Sequence, residues 1–194
     1  MHVFGLPKNT ETHDKLMKAY AEKHRHYHTF AHVKACLSHL EKTKDLATHP
    51  HEVELALWFH DAIYKPFSKD NELNSANWAH DFLIQNNCEK NCALRVYRLI
   101  LATLHGSMID SNDEKLITDI DLSILGCSFE VYQQFESNVR KEYRLVPYFI
   151  YRKKRREILQ NFLNQAKIYH FDYFREKLEK QARINLTRAI LNLS

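Results

Sequence analysis

The chain is poor in the residues that make tight turns. Of its 194 residues, three are Gly and four are Pro, far below the roughly 12% that the two types supply together on average. Gly and Pro build hairpins, strand corners and short turns. Their scarcity argues against a turn-rich β architecture and predicts long helices. Cysteine is also sparse. Cys36, Cys88, Cys92 and Cys127 are too few to staple a chain of this length, so free thiols in a reducing cytoplasmic setting are the expectation. Cys88 and Cys92 are four apart and could share a helix face, but no matching ligand pair lies nearby, which argues against a zinc site there. No apolar run approaches the length of a membrane span. The N-terminus, Met1-His-Val-Phe-Gly-Leu-Pro7, lacks the basic and apolar regions of a signal peptide. The expectation is a cytoplasmic protein with no membrane partner.

What remains has an ordinary globular balance, with 44% hydrophobic and 27% charged residues. The length favours one domain, residues 1–194, with a sizeable core. A formal net charge of +4 permits anionic substrates without demanding nucleic acid. Apolar residues recur at helical spacing along most of the chain. The pattern predicts helices over about Phe30–Asp45, from Pro50 through Phe59, over about Glu72–Asn86, and over about Glu89–Leu104. Ser111-Asn-Asp-Glu114 offers caps for a helix through Leu125 that Gly126 stops. Ser128 and Pro147 begin two more, and Phe171 to Leu193 reads as a last one. No stretch alternates as a strand does, so the fold class is an all-α bundle.

The 13 His residues carry the chemical signal, because neutral imidazole is the commonest metal ligand at physiological pH. His60-Asp61 closes the apolar run Val53-Glu-Leu-Ala-Leu-Trp-Phe59. Upstream lies Arg25-His-Tyr-His-Thr-Phe-Ala-His32, and downstream Thr118-Asp-Ile-Asp-Leu-Ser-Ile-Leu-Gly126. Each element alone has a bland reading. A His-Asp pair is unremarkable among so many histidines, His32 alone suits a satisfied helix histidine, and Asp121 alone could cap or solvate its helix. Together, His32, His60, Asp61 and Asp121 come from three segments embedded in apolar sequence. A water-activating metal needs such ligands with positions left open. Mixed nitrogen and oxygen donors suit Mn, Fe, Co, Ni or Zn, and Mg less comfortably.

A His, a His-Asp doublet and a distant Asp in that order resemble the HD superfamily of metal-dependent phosphohydrolases. The likeness extends to a small bacterial branch of HD phosphohydrolases. It runs through His24–His32, Trp58-Phe-His-Asp-Ala-Ile-Tyr64, Asn71-Glu-Leu-Asn-Ser-Ala76, Ile100-Leu-Ala-Thr-Leu-His105, Asp119–Gly126, Glu142-Tyr143 and Glu179–Leu186. The resemblance implies an HD-like helical bundle in which His32, His60, Asp61 and Asp121 hold a divalent metal ion. It places Asp121 rather than Asp119 in the ligand set, because Ile120-Asp-Leu122 fits the pattern better. It also implies hydrolysis of a phosphomonoester or a nucleotide.

The nucleotidase branch has a Glu three residues after the His-Asp aspartate, where this chain has Tyr64. Glu72 then becomes the candidate for proton transfer; its bland role is in the first turn of its helix. Arg25 and His28 are candidates for phosphate contact beside the metal, with Arg25 alternatively pairing a structural carboxylate such as Asp119. His105 is a candidate for substrate contact or a second metal. His80, in Trp78-Ala-His-Asp-Phe82, reads as helix surface. The basic run Arg152-Lys-Lys-Arg-Arg156 reads as a solvated helix face rather than a nucleic-acid site. Two other classes share the same ligands: a di-iron oxygenase, and a metal-stabilised binding module without turnover.

Overall fold

The computed structural model describes residues 10–104 and 108–193. Among these there are helices and no strand, as the scarcity of Gly and Pro predicts. The chain divides into two compact units, Met1–Ile120 and Asp121–Ser194.

In the first unit, α1 spans Thr10–Tyr20, α2 Phe30–Thr43, α3 Pro50–Phe59, α4 Asn71–Gln85, α5 Lys90–Ala102 and α6 Asn112–Asp121, whose last residue opens the second unit. Helix α3 is the central element and packs on α2, α4 and α5. Its sequence explains that place. Pro50 occupies the first turn, where a missing N–H costs nothing. Val53, Leu55, Ala56, Leu57 and Phe59 are buried on several sides of the helix, the pattern of a core helix. Phe59 meets the Trp78 ring edge-on at 5.5 Å and the Phe82 ring at 5.6 Å.

Local chemistry sets several helix ends. Asn87 adopts a positive φ of 58° after α4. The Cys88 and Asn87 amides turn back to the Leu83 and Ile84 carbonyls, a Schellman closure in which Asn substitutes for Gly. Ser111 and Glu114 form a reciprocal capping box. The Glu114 amide donates to Ser111 Oγ at 3.1 Å, and the Ser111 amide donates to Glu114 Oε2 at 3.1 Å.

The second unit begins with a 3-10 turn, Leu122–Gly126. It continues with α7 Phe129–Glu142, α8 Tyr148–Asn164, the short α9 Asp172–Phe174, a π-helical turn Arg175–Glu179, and α10 Lys180–Asn192. Helix α10 packs on the 3-10 turn, α8 and α7. Buried Asn185 donates from Nδ2 to the Leu125 and Cys127 carbonyls at 2.9 and 2.8 Å. Tyr169 donates its hydroxyl to the Leu122 carbonyl at 3.1 Å. A Cβ on Gly126 would lie 2.5 Å from Leu178 Cβ, so only Gly permits this approach of the π-helical turn. Between α7 and α8, Arg155 grips both oxygens of Glu136, at 2.7 and 3.0 Å, and Tyr132 donates to the same carboxylate at 2.6 Å.

Three sequence expectations change in detail. The helix expected through Leu125 ends at Asp121 and tightens into the 3-10 turn. The final helix is interrupted by the π-helical turn. Helix α1, not anticipated from the sequence, buries Leu16 and Tyr20.

Candidate metal centre

The first unit gathers His32, His60 and Asp61. His32 sits in the first turn of α2, His60 caps the C-terminus of α3, and Asp61 follows it. His32 and His60 are 7% and 2% exposed, while the Asp61 side chain keeps 17%. Two apolar helices therefore deliver the imidazoles, and the turn beyond α3 delivers a carboxylate with one side open.

The ligand atoms converge. His32 Nε2 and His60 Nε2 are 3.1 Å apart. Asp61 Oδ2 lies 3.1 Å from His60 Nε2 and 3.6 Å from His32 Nε2. From these separations the point equidistant from all three in their plane is about 1.9 Å from each, close to the roughly 2.0–2.2 Å of zinc bonds to imidazole and carboxylate.

The remaining ring nitrogen of His60 fixes one of its protons. His60 Nδ1 lies 2.9 Å from the Leu57 carbonyl, which only accepts, so Nδ1 carries the proton. Neutral His60 then aims an Nε2 lone pair at the Asp61 carboxylate. Two acceptors at that distance repel, and either a second proton on His60 or a cation between them relieves the repulsion. His32 Nδ1 is 3.0 Å from the Tyr27 hydroxyl, which can hold its ring in the same orientation. The donor set and its outer partners fit a divalent ion. Burial raises the Asp61 pKa, but the positive charge of His60, His28 and His32 in their protonated forms outweighs it and holds the carboxyl well below the usual carboxylate range.

Arg25 occupies a different place from the one suggested by an anion-binding role. Its side chain is fully enclosed. Nη1 donates to the His28 and Asp61 carbonyls at 3.0 and 2.7 Å, Nη2 to the Ala62 carbonyl at 3.0 Å, and Nε to Glu22 at 3.0 Å. The guanidinium also lies over the Tyr20 and Tyr64 rings, at 5.3 and 5.4 Å. Its carboxylate partner is thus Glu22, not Asp119, and its main task is to bind the turn that carries Asp61.

Tyr64 is buried and stacks on His28, with centroids 4.1 Å apart. His28 is half-buried and close enough to Asp61 to lower its pKa. The loop is pinned from its other side by α4. Asn71 exchanges two hydrogen bonds with the Lys65 backbone, and Ser75 Oγ accepts from the Ile63 amide at 3.0 Å. Glu72 lies in the first turn of α4, half-buried, and is not among the clustered ligand atoms.

Asp121 ends α6, half-buried, beside fully enclosed Asp119. His105 lies outside the described residues. His80, one-third exposed, lies against Asp81 and Tyr97.

Cys36 is a neighbour of the site that sequence reasoning missed. Its buried Sγ lies 3.7 Å from His32 Nε2. The four-residue spacing from His32 on α2 was the available signal. Tyr27 was missed too, although it lies within the Arg25–His32 run. Comparisons with protein-family models, with curated proteins and with solved structures find no match to this chain.

Proposed function

We propose that the chain is a metal-dependent phosphohydrolase of the HD type, acting on a phosphomonoester or nucleotide. The observation that carries this reading is the buried triangle of His32 Nε2, His60 Nε2 and Asp61 Oδ2, with the other nitrogen of each ring already partnered. His32, His60 and Asp61 would hold the ion. When bound, a divalent ion supplies a Lewis acid that lowers the pKa of a coordinated water and polarises a phosphoryl oxygen.

The chain's own residues then have separable tasks. Leu57 and Tyr27 fix the two imidazoles. Arg25, through the Asp61 and Ala62 carbonyls, keeps the carboxylate aimed at them and acts as a positioning residue. His28, held by Tyr64, is placed to meet an anionic group arriving at the open side of Asp61. Glu72 remains the candidate proton carrier, in place of the glutamate that the nucleotidase branch has where this chain has Tyr64. The clustered ligands also suit an iron oxygenase, but no observation favours that reading over hydrolysis.

Elemental analysis of gently purified protein tests the metal, with close to one or more equivalents expected. A screen of phosphomonoesters and nucleotides with Mn, Fe, Co, Ni, Zn and Mg tests the reaction. Protein that neither carries nor takes up any of these ions defeats the site. Metal-loaded protein that consumes oxygen and releases no phosphate defeats the hydrolytic reading.

A further inference from the structure

The passage from α7 to α8 reads Lys141-Glu-Tyr-Arg-Leu-Val-Pro-Tyr-Phe-Ile-Tyr-Arg-Lys-Lys-Arg-Arg156. Four large apolar side chains there stand in solvent: Leu145 at 76%, Phe149 at 69%, Tyr148 at 54% and Ile150 at 43% exposure. Leu145 lies on the turn, and the other three fill the first turn of α8. Exposed apolar residues scattered singly are ordinary, but a contiguous group marks an interaction surface.

Cations surround this group. Lys141, Arg144, Arg152, Lys153, Lys154 and Arg156 are all exposed, whereas Glu142, the stretch's one acid, is buried. Lys154 pairs with Glu157 at 2.9 Å. Arg155 is turned inward and is spent on Glu136. Helical spacing places Phe149, Arg152, Lys153 and Arg156 on one face of α8. An apolar tip therefore runs directly into a basic face.

We propose that this tip is a docking surface for an anionic membrane, with Leu145, Phe149 and Ile150 entering the interfacial layer and the basic residues meeting lipid headgroups. Peripheral binding needs apolar side chains that reach the acyl boundary and cations at headgroup depth. Both are supplied here within one turn and the start of one helix. The sequence expectation of no membrane partner rested on the lack of a spanning segment; no helix among the described residues is long and apolar enough to cross a membrane, but a surface contact needs none.

The composition argues for lipid over the other anionic surfaces. Tyr148 and Phe149 could stack on a base, but Leu145, the most exposed residue of the tip, and Ile150 are aliphatic and offer no such face, whereas bases on single strands are held by aromatic platforms. Pairing of two copies about a two-fold axis would press one basic rim against another. A bilayer bearing anionic lipid accepts both halves of the surface.

The test is co-sedimentation of the full chain with phosphatidylcholine vesicles, with and without phosphatidylserine. Binding is expected only with phosphatidylserine and should weaken as salt rises. Each basic residue near such a surface is worth about fivefold in partitioning, so Arg144→Gln with Lys153→Gln should lower it roughly twenty-fivefold. Leu145→Ser with Phe149→Ser should lower it at least about tenfold. Both pairs are exposed, so melting temperature should not move; circular dichroism on each variant checks this. Equal binding to both vesicle types overturns the proposal. So does full binding by the folded Leu145→Ser, Phe149→Ser protein, which would reduce the effect to charge alone. Displacement from vesicles by single-stranded RNA at lower concentration than anionic lipid assigns the surface to nucleic acid. Self-association lost in the serine variant, with no vesicle binding, assigns it to a second copy.

Discussion

Replacing Arg25 distinguishes a structural brace from an anion contact. In the structure its guanidinium satisfies three backbone carbonyls, those of His28, Asp61 and Ala62, and reaches Glu22. Hydrogen bonds from a charged donor are worth about 1.5–3 kcal/mol each. The three do not simply add, because water can reach part of the vacated space. The Glu22 contact contributes little, since its carboxylate is 46% exposed. Loss of a buried, fully engaged charge costs about 3–5 kcal/mol, and Arg25→Ala should fall in that range. For a protein of this size, with about 2–4 °C per kcal/mol, Tm should drop by roughly 6–20 °C. Against a total stability of about 5–15 kcal/mol, the variant should fold at low temperature and remain measurable. Metal affinity should fall with stability, because the Asp61 carbonyl loses its anchor. Arg25→Lys should recover only part, since one ammonium cannot span carbonyls that a planar fork reaches together. Calorimetry, metal content and phosphate inhibition on the same samples decide the matter. An Arg25→Ala protein with unchanged Tm and metal content, but weakened phosphate inhibition, would refute the brace and restore the anion contact.

Tyr27→Phe removes the partner of His32 Nδ1; loss of such outer contacts typically costs ten- to a hundredfold in metal affinity, so a chelator competition should show at least about tenfold weaker binding. If affinity is unchanged, the hydroxyl does not orient His32. Gly126→Ala should destabilise the protein by about 1–3 kcal/mol, because the new methyl would meet Leu178 Cβ at 2.5 Å and its carbonyl oxygen at 2.8 Å; a neutral denaturation midpoint would show that the π-helical turn yields. Burial and the neighbouring Glu52 carboxylate push the Cys92 thiol up to about 12, and since the thiolate is the nucleophile, maleimide at pH 7 should leave Cys92 unlabelled until the protein is denatured. Mass spectrometry that finds native Cys92 modified at once would contradict this.

The helices were legible because their cores repeat at helical spacing and their ends carry side-chain signals. Pro50, Ser111 and Glu114 are instances in which the local residue does in the structure what its type suggests. The π-helical turn at Arg175–Glu179 left no such mark. Shifting a helix by one residue changes the partners of backbone groups without changing composition, so periodicity blurs across it. The 3-10 turn at Leu122–Gly126 was hidden for a related reason. Its carbonyls are taken by Tyr169 and Asn185, dozens of residues away in sequence, and nothing local announces those partners.

The candidate centre divides along the same line. His60-Asp61 stood out because two polar groups close an apolar run, and burying such groups at the end of a core helix is costly unless they bind something. The partners of Arg25 were invisible, since a carbonyl has no sequence signature and Asp61 advertises only its carboxylate. Several residues within the family-like motifs prove to serve the backbone. Asn71 and Ser75 tie down the loop after Asp61. Glu179 accepts the Ile168 and Tyr169 amides, and Asn185 closes the 3-10 turn. Motif length is therefore a poor measure of how much chemistry a motif encodes. Most of these residues hold loops in place, and the candidate chemistry contracts to a few side-chain atoms around His32 that could hold an ion, with the groups that orient them. It follows that mutations at Asn71 or Asn185 should act first on stability. If the proposed hydrolase reading holds, substrate choice should fall instead to the side chains beside Asp61, of which His28, held against Tyr64, is the first to vary.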